Sequence, residues 1–199
     1  MKDLFYDILK KRRSIYQLKD EIKISEERLK DIIKFGVKHT PTAFNSQTGR
    51  IYLLLEKEHD DFWDLVLNKL KEIVPEDKFS DTQDKINSFK AAFGTILFFE
   101  DFNIVESLQE RFPLYSDNFP KWSNQSSGML QYVIWTSLAK EDVGASLQHY
   151  NEIIEEEIKE KYNIDSNYKL IAQMPFGTPI GEPEDKEFDD LDDRFKVLK

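Results

Sequence analysis

The segment from about Ser126 to Glu141 constrains the fold more than any other, because it is apolar on nearly every face. Its large apolar stretch consists of Met129, Leu130, Tyr132, Val133, Ile134, Trp135, Leu138 and Ala139. A helix with apolar side chains all round has no face that favours water, so it must be covered on every side. Either it runs through the core, or a second subunit covers part of it.

The rest of the chain alternates amphipathic segments with short apolar runs. Apolar residues at helical spacing predict helices over 3–12, from Ser25 to Pro41, and over 60–74, 80–93, 103–111 and 152–161. Continuous apolar runs predict buried strands at 51–55, 95–99 and 168–174. Residues 113–120 contain prolines and predict a loop. No internal repeat or domain boundary is visible, and 199 residues fit one domain.

The last 25 residues differ in character from the rest. They contain three prolines and two glycines, then an acidic run over 182–193, and then Arg194-Phe195-Lys196-Val197-Leu198. We expect 175–199 to form an extended C-terminal arm. Its alternating apolar residues Phe195, Val197 and Leu198 suit a strand added to a sheet edge.

Composition excludes several classes of function. A formal net charge of -10 disfavours binding to nucleic acid or to an anionic membrane surface, because both partners are negative. The chain has no cysteine, so redox chemistry would need a bound cofactor. No apolar run approaches the roughly 20 residues of a membrane span, and no secretion signal is visible at the N-terminus. We therefore expect a cytoplasmic protein.

Two short segments suggest a nucleotide-like cofactor. Residues 11–16, Lys-Arg-Arg-Ser-Ile-Tyr, supply guanidinium groups and a hydroxyl, which form strong charge-assisted hydrogen bonds with phosphate. Residues 40–47, Thr-Pro-Thr-Ala-Phe-Asn-Ser-Gln, supply amide side chains for the polar edge of a ring. Each segment alone also has an ordinary interpretation: a solvated helix end for the first and a turn after a proline for the second.

Metal and hydrolase chemistry have little support. His39, His59 and His149 lie far apart and lack ligand spacing, so we expect no metal site. The candidate serines lack a Gly-x-Ser-x-Gly context. Trp122 and Phe102 suit either a substrate pocket or simple packing.

Five segments taken in order resemble the nitroreductase family of flavin enzymes, in particular the branch of the fatty-acid-repression-mutant-type proteins. They are 12–16, 41–47, 93–101, 144–151 and 174–177, and the resemblance covers nearly the whole chain. It implies an α+β, nitroreductase-like fold with a mixed central β-sheet flanked by helices, in an intertwined homodimer. Residues 1–199 would form a single FMN-binding domain, with 175–199 as its C-terminal arm.

The resemblance also implies site residues. Arg12 and Ser14 would meet the FMN phosphate or ribityl chain, with Arg13 beside them and Lys186 or Arg194 as additional phosphate donors. Asn45 and Gln47 would lie against the flavin. The remaining implied contacts are Pro41, Thr42 and Ala43 toward the flavin bound mainly by the other subunit, and the main chain at Gln148 and His149 toward flavin N5. Tyr16 stands where better-known members carry a basic side chain facing the pyrimidine edge.

The function that the resemblance implies is an FMN-dependent oxidoreductase. It would take a hydride from NADH or NADPH and reduce small aromatic acceptors of the nitroaromatic or quinone type by ping-pong transfer through flavin N5, without a catalytic side chain. Two alternatives remain open at this point. One is a flavin carrier or redox-responsive regulator without significant turnover, and the other is a dimeric interaction protein with an empty site.

Overall fold

Five strands form one sheet in the centre of the computed structural model, which describes residues 4–181, 183 and 185–199. The strands are β1 Leu18–Lys19, β2 Gly49–Leu55, β3 Gly94–Asp101, β4 Gly144–Ala145 and β5 Tyr168–Pro179. Their order is β1-β5-β3-β2, and β4 also pairs with β5. All of these pairings are antiparallel. Among the described residues, the one parallel pairing is an isolated bridge between Ser14 and Ala145.

Helices cover both faces of this sheet. They are α1 Leu4–Lys11, α2 Glu26–His39, α3 Glu56–Ile73, α4 Phe79–Lys90, α5 Phe102–Arg111, α6 Phe119–Lys140, α7 Asn151–Tyr162 and α8 Leu191–Arg194. Short 3-10 turns lie at 43–45, 76–78 and 113–118. The predicted α+β class with a helix-flanked central sheet is therefore confirmed, and its parallel component is confined to the single bridge.

Strand β3 is buried along its whole length because it is paired on both edges and covered on both faces. Its alternating side chains enter two separate clusters. Ile96 and Phe98 join the cluster built with α2 and α6, and Leu97 and Phe99 join the cluster built with α3, α4 and α7. The continuous apolar run at 95–99 is the sequence signature of this two-sided burial.

Several predicted boundaries were wrong; helix α3, for example, begins at Glu56 rather than at residue 60. The expected loop at 113–120 ends at Asn118, and α6 begins at Phe119 rather than near Ser126. Pro120 favours this early start, because proline suits the first helical turn. Strand β5 continues past Met174 to Pro179, because its last residues pair with β4 and β1.

Helix α6 is buried on one side only within the single chain. Leu130, Ile134 and Leu138 enter the core, whereas Met129 and Tyr132 are each 42% exposed. Burial in the core therefore accounts for one face of the apolar helix, and the opposite face is open to a partner.

The C-terminal arm does not form the predicted edge strand in the single chain. Phe195, Val197 and Leu198 follow α8, lie outside every strand and are exposed. Residues 182 and 184 of the acidic run, and residues 1–3 with the start of the helix predicted over 3–12, lie outside the described residues. Within the described part of the chain, no helix is long and apolar enough to cross a membrane.

Candidate functional site

A cavity of about 720 Å³ collects the basic residues that follow α1. Arg12, Arg13, Ser14 and Lys186 line it, so the structure brings together two segments that are more than 170 residues apart in the chain. Its remaining lining includes Tyr16, which is exposed, and the carboxylates of Asp185 and Glu187. Guanidinium, ammonium and hydroxyl donors around one cavity form a donor set that suits a phosphate group.

The surroundings of Arg12 favour an anionic ligand. Its guanidinium carbon lies 4.3 Å from the centre of the Trp135 ring and 5.7 Å from that of Tyr132, both on α6. Its Nε is buried and has no hydrogen-bond partner among the described residues. A buried donor without an acceptor is costly, so an anionic ligand at this point would relieve that cost.

Ser14 is fixed by the main chain. It forms the parallel bridge with Ala145, and the N–H of Ile15 donates to the Ala145 carbonyl at 3.0 Å. This contact joins the 12–16 segment to the 144–151 segment, two of the motifs that the sequence placed in one site. Pairing with the sheet therefore fixes the main chain of Ser14.

Residues 42–47 form a tight loop after α2. The Thr42 carbonyl accepts the N–H of Asn45 at 3.0 Å, and Thr42 Oγ1 accepts the N–H of Gln47 at 3.0 Å. Phe44, Asn45 and Gln47 all have left-handed backbone conformations, with φ of 57°, 51° and 52°. Such values are unfavourable for residues other than glycine and asparagine, so contacts elsewhere must hold the loop.

A second cavity, of about 610 Å³, lies between α2, β2 and α6. We call it the α2–β2 cavity. Its lining mixes apolar residues such as Ile33 and Leu53 with polar and basic ones, namely Lys30, Lys34, Lys38, Thr40, Thr42, Gln47, Arg50 and Ser126. It shares no lining residue with the 720 Å³ cavity around Arg12, which we call the basic cavity. In one chain, the predicted phosphate residues and the predicted ring residues therefore face different spaces.

Glu100 also lines the α2–β2 cavity, although its side chain is almost fully buried. Burial raises the pKa of its carboxyl, while a hydrogen bond donated by Ser123 Oγ to Oε2 at 2.5 Å acts in the opposite direction. Ser123, Ser126 and Ser127 form a buried polar stripe on α6, one that its otherwise apolar sequence did not lead us to expect. Burial therefore disfavours the charged form of the Glu100 carboxyl in this cavity.

The backbone N–H groups of Gln148 and His149 differ in their hydrogen bonding. The N–H of Gln148 donates to the Gln173 carbonyl at 2.8 Å, and the Gln148 side chain donates to Ser146 Oγ at 3.1 Å. The N–H of His149 has no acceptor among the described residues. If one of the two predicted residues offers an N–H to a ligand, it is therefore His149.

The other predicted residues are spread more widely. Ala43 lines a third cavity, of about 290 Å³, with Phe44, Trp122 and Met129. Pro41 and Asn45 are exposed and line none of these three cavities, and neither does Arg194, which lies in α8. Trp122 belongs to a cluster of aromatic rings around Phe44, whereas Phe102 lies under Lys169 Nζ at 3.8 Å.

Arg50 and Glu100 are residues of this site that the sequence did not reveal. Both sit in or beside segments that read as buried strands, where a charged residue attracts attention only if its spatial neighbours are known. Gly49 pairs with Glu100 across β2 and β3, which places both charged residues at the same end of the sheet. Within the described residues, no group of three or more histidine or acidic side chains is placed to hold a metal ion.

Sequence comparison identifies relatives along most of the chain. The model described as the Nitroreductase family matches residues 9–178. The yeast (Saccharomyces cerevisiae) protein HBN1 is 33% identical over 179 residues, covering 89% of this chain and 89% of its own. The nitroreductase FRM2 of the same yeast is 30% identical over 186 residues, covering 92% of each chain. Both names match the branch that the motif order predicted.

Solved structures with the same fold extend this similarity. Nitroreductase CinD from Lactococcus lactis, in complex with chloramphenicol, is 43% identical and has a TM-score of 0.89, covering 98% of this chain and 100% of its own. The same protein is also known in complex with 4-nitrophenol, with a TM-score of 0.88. A protein of Exiguobacterium sibiricum in complex with FMN shares the fold at 13% identity, with a TM-score of 0.73 over 98% of this chain and 97% of its own.

Proposed function

The chain belongs to the nitroreductase family of oxidoreductases, and we propose that it is an FMN-dependent NAD(P)H oxidoreductase that reduces nitroaromatic or quinone-type acceptors. The observation that carries the proposal is the Arg12 guanidinium, whose buried Nε has no hydrogen-bond partner among the described residues and which lines a cavity with Ser14 and Lys186. The cavity brings Arg12, Arg13 and Lys186 together beside the carboxylates of Asp185 and Glu187, so a phosphate would meet cationic donors in a chain whose formal net charge is -10.

In this proposal the chain holds FMN through several segments. Arg12, Ser14 and Lys186 bind the phosphate, with Arg13 beside them. Thr42 and Gln47 approach the ring from the α2–β2 cavity. Because the two cavities share no residue, we propose that each FMN takes its phosphate contacts from one chain and some ring contacts from another.

FMN supplies the hydride chemistry at N5 when it is bound, so the protein needs no nucleophilic side chain. The chain contributes binding and orientation. The unused N–H of His149 is the main-chain donor available to the ring in its segment. NAD(P)H and the acceptor would occupy the same open side in turn, which predicts ping-pong kinetics.

The acceptor class is supported by relatives. CinD, at 43% identity, is known with chloramphenicol and with 4-nitrophenol, both of which are named ligands of that protein. The FMN complex of the Exiguobacterium protein supports the cofactor at the level of the shared fold. The aromatic cluster of Phe44 and Trp122, whose ring planes are inclined by 23°, would suit a flat aromatic acceptor.

We propose that the functional unit is a homodimer. Met129 and Tyr132 on α6 are exposed large side chains, as are Phe35 and Val37 on α2. An open apolar surface on two neighbouring helices favours association with a second copy. In this arrangement residues 1–199 act as one FMN-binding domain. Residues 175–179 of the predicted 175–199 arm belong to β5, so the part that extends onto the partner begins after Pro179.

An absorbance spectrum of the purified protein tests the proposed function. We expect flavin bands in the isolated protein or after FMN addition, and bleaching of these bands by NADH or NADPH without oxygen. Reoxidation by a nitroaromatic or quinone acceptor should then restore them. Absence of flavin binding would exclude both an enzyme and a flavin carrier, whereas binding without bleaching by either nucleotide would favour the carrier.

A further inference from the structure

Gln47 is held on both of its backbone polar groups by side chains. Its N–H donates to Thr42 Oγ1 at 3.0 Å, and its carbonyl accepts from Arg50 Nη1 at 2.8 Å. The residue has a left-handed φ of 52°, which glutamine adopts only at a cost. These two hydrogen bonds therefore hold a conformation that the chain alone would not favour.

Arg50 is itself anchored to three strands. Its Nη2 donates to Asp101 Oδ2 at 2.8 Å on β3, and its Nε donates to the Tyr168 hydroxyl at 3.3 Å on β5. Nη1 donates to the carbonyl of Gly49 at 3.0 Å as well as to that of Gln47. Asp101 is fixed in turn, because its Oδ1 accepts the N–H of Asn103 at the start of α5.

This geometry requires arginine. A planar guanidinium can donate in several fixed directions at once, whereas a lysine ammonium is a point charge on a flexible stem. The pairing with Asp101, whose side chain is 8% exposed, also balances the charge of Arg50. Arg50 is therefore better suited to fixing the loop than to acting as an unpaired cation.

We propose that Arg50 is a positioning residue that acts through Gln47, holding the 42–47 loop in the conformation that presents Gln47 to the flavin ring. The inference rests on the proposed function, because it assigns the ring contact to Gln47. Thr42 and Arg50 together form a clamp on Gln47. Asp101 and Tyr168 support this clamp because they hold the Arg50 side chain.

A double-mutant cycle on FMN binding tests the inference. Arg50→Lys should weaken FMN binding about tenfold, because hydrogen bonds from a charged group are lost. In a Gln47→Ala background the same change should alter the FMN dissociation constant less than about twofold, because the residue through which Arg50 acts is gone. The visible circular dichroism of bound FMN should change in Arg50→Lys, which a mere loss of stability would not cause.

Two further measurements keep the inference testable in every case. Arg28→Lys, which disturbs an exposed arginine pair with Glu141, is the matched control and should leave FMN binding unchanged. Hydrogen exchange of the Gln47 amide in the protein without FMN should accelerate in Arg50→Lys. Thermal unfolding of each variant identifies any that fails to fold.

The outcomes separate the inference from the proposed function. Equal losses of FMN affinity in both backgrounds, or no loss in either, would overturn the role of Arg50 through Gln47. Unchanged exchange at Gln47 would overturn the clamp itself. If the wild-type protein binds no FMN while exchange at Gln47 still accelerates in Arg50→Lys, the proposed cofactor fails and the clamp remains.

Discussion

At the scale of single residues, Arg12 is the side chain whose environment depends most on a ligand. Its Nε is buried without a partner, and its guanidinium lies over Trp135. Arg12→Ala should weaken FMN binding about tenfold to a hundredfold, because a charge-assisted hydrogen bond contributes roughly 1.5–3 kcal/mol. Titration of the protein with FMN, followed by flavin fluorescence, measures the change.

The same substitution should have little effect on the stability of the protein without FMN. Removing an unpartnered buried donor should leave the stability without FMN nearly unchanged, apart from the lost packing on Trp135. Arg28→Ala removes an exposed guanidinium outside the site. It should change neither the FMN affinity nor the stability of the protein without FMN. Equal FMN affinity of Arg12→Ala and the wild type would exclude Arg12 from the site.

His59 links single-residue chemistry to the pH dependence of stability. Its Nε2 donates to the Lys90 carbonyl at 3.0 Å, so in the neutral ring Nδ1 carries no proton and accepts from Thr95 Oγ1 at 2.9 Å; that hydroxyl also accepts from Trp63 Nε1. The ring is thus satisfied in its neutral form. Burial lowers the pKa of His59, so the unfolded chain binds a proton more readily than the folded one.

The expected consequence is a loss of stability in acid. Below the ordinary histidine pKa of about 6.5, the unfolded state gains the proton first, and the free energy of unfolding falls as pH decreases. Between pH 7.5 and 5.5 the wild type should lose about 1 kcal/mol more than His59→Gln. Urea unfolding at both pH values measures this, with the exposed His39→Gln as control. Parallel losses in the wild type and His59→Gln would contradict the assignment.

Sequence was informative about residues whose chemistry is local and uninformative about residues defined by their neighbours. Arg12 and Ser14 were predicted because their guanidinium and hydroxyl suit phosphate and because the order of the motifs resembles that of a family, and Lys186 was added by the same resemblance. Arg50 did not stand out, because its significance lies in hydrogen bonds to Asp101 and Tyr168 across the sheet. Long-range pairs of this kind cannot be read from spacing along the chain.

At the scale of elements, periodicity identified the helices and strands, and their ends were less predictable. The helix predicted from Ser25 does begin there: Ser25 is the N-cap of α2, and its side chain accepts the N–H of Arg28 at 3.1 Å. The extension of β5 to Pro179 was missed, because pairing with two short strands, β1 and β4, maintains it against two prolines. Tertiary pairing overrides the local signal there.

The crossing of α2 and α6 depends on a close approach at Gly36. A Cβ atom at this position would lie 2.6 Å from Ile134 Cγ1. Alanine favours a helix over glycine by about 0.8–1.0 kcal/mol, whereas overpacking costs about 1–3 kcal/mol. Gly36→Ala should therefore destabilise the protein by about 1 kcal/mol, as measured by urea unfolding.

The cause of that loss can be isolated by removing the obstructing atom. In an Ile134→Ala background, Gly36→Ala should be neutral or stabilising, because the added methyl group then fills part of the space that Ile134 leaves. A loss of the same size in both backgrounds would show that the helix crossing does not depend on this contact.

At the scale of the whole molecule, the single chain leaves unmatched surfaces. The exposed face of α6, the exposed side chains of α1 and the apolar end of the arm share one property, which is that no described residue of the chain covers them. The sequence indicated that the 126–141 helix needed to be covered on all sides. It could not show which face the chain itself buries and which face it leaves exposed. Like these exposed surfaces, the division of the predicted site residues between two cavities favours the proposed homodimer.

Removal of residues 194–199 tests whether the arm is part of that assembly. Phe195, Val197 and Leu198 are 71%, 63% and 95% exposed in the single chain, so a partner that covers them would gain apolar contact that truncation removes. We expect a larger dimer dissociation constant and a lower FMN content, measured by light scattering and by the flavin-to-protein absorbance ratio.

Arg194→Gln in the full-length chain separates the two contributions: it should lower FMN content only if Arg194 reaches the phosphate, and it should leave the dimer intact. If the truncated protein keeps the dimer constant and FMN content of the wild type, the arm contributes to neither, and the open face of α6 must account for association alone.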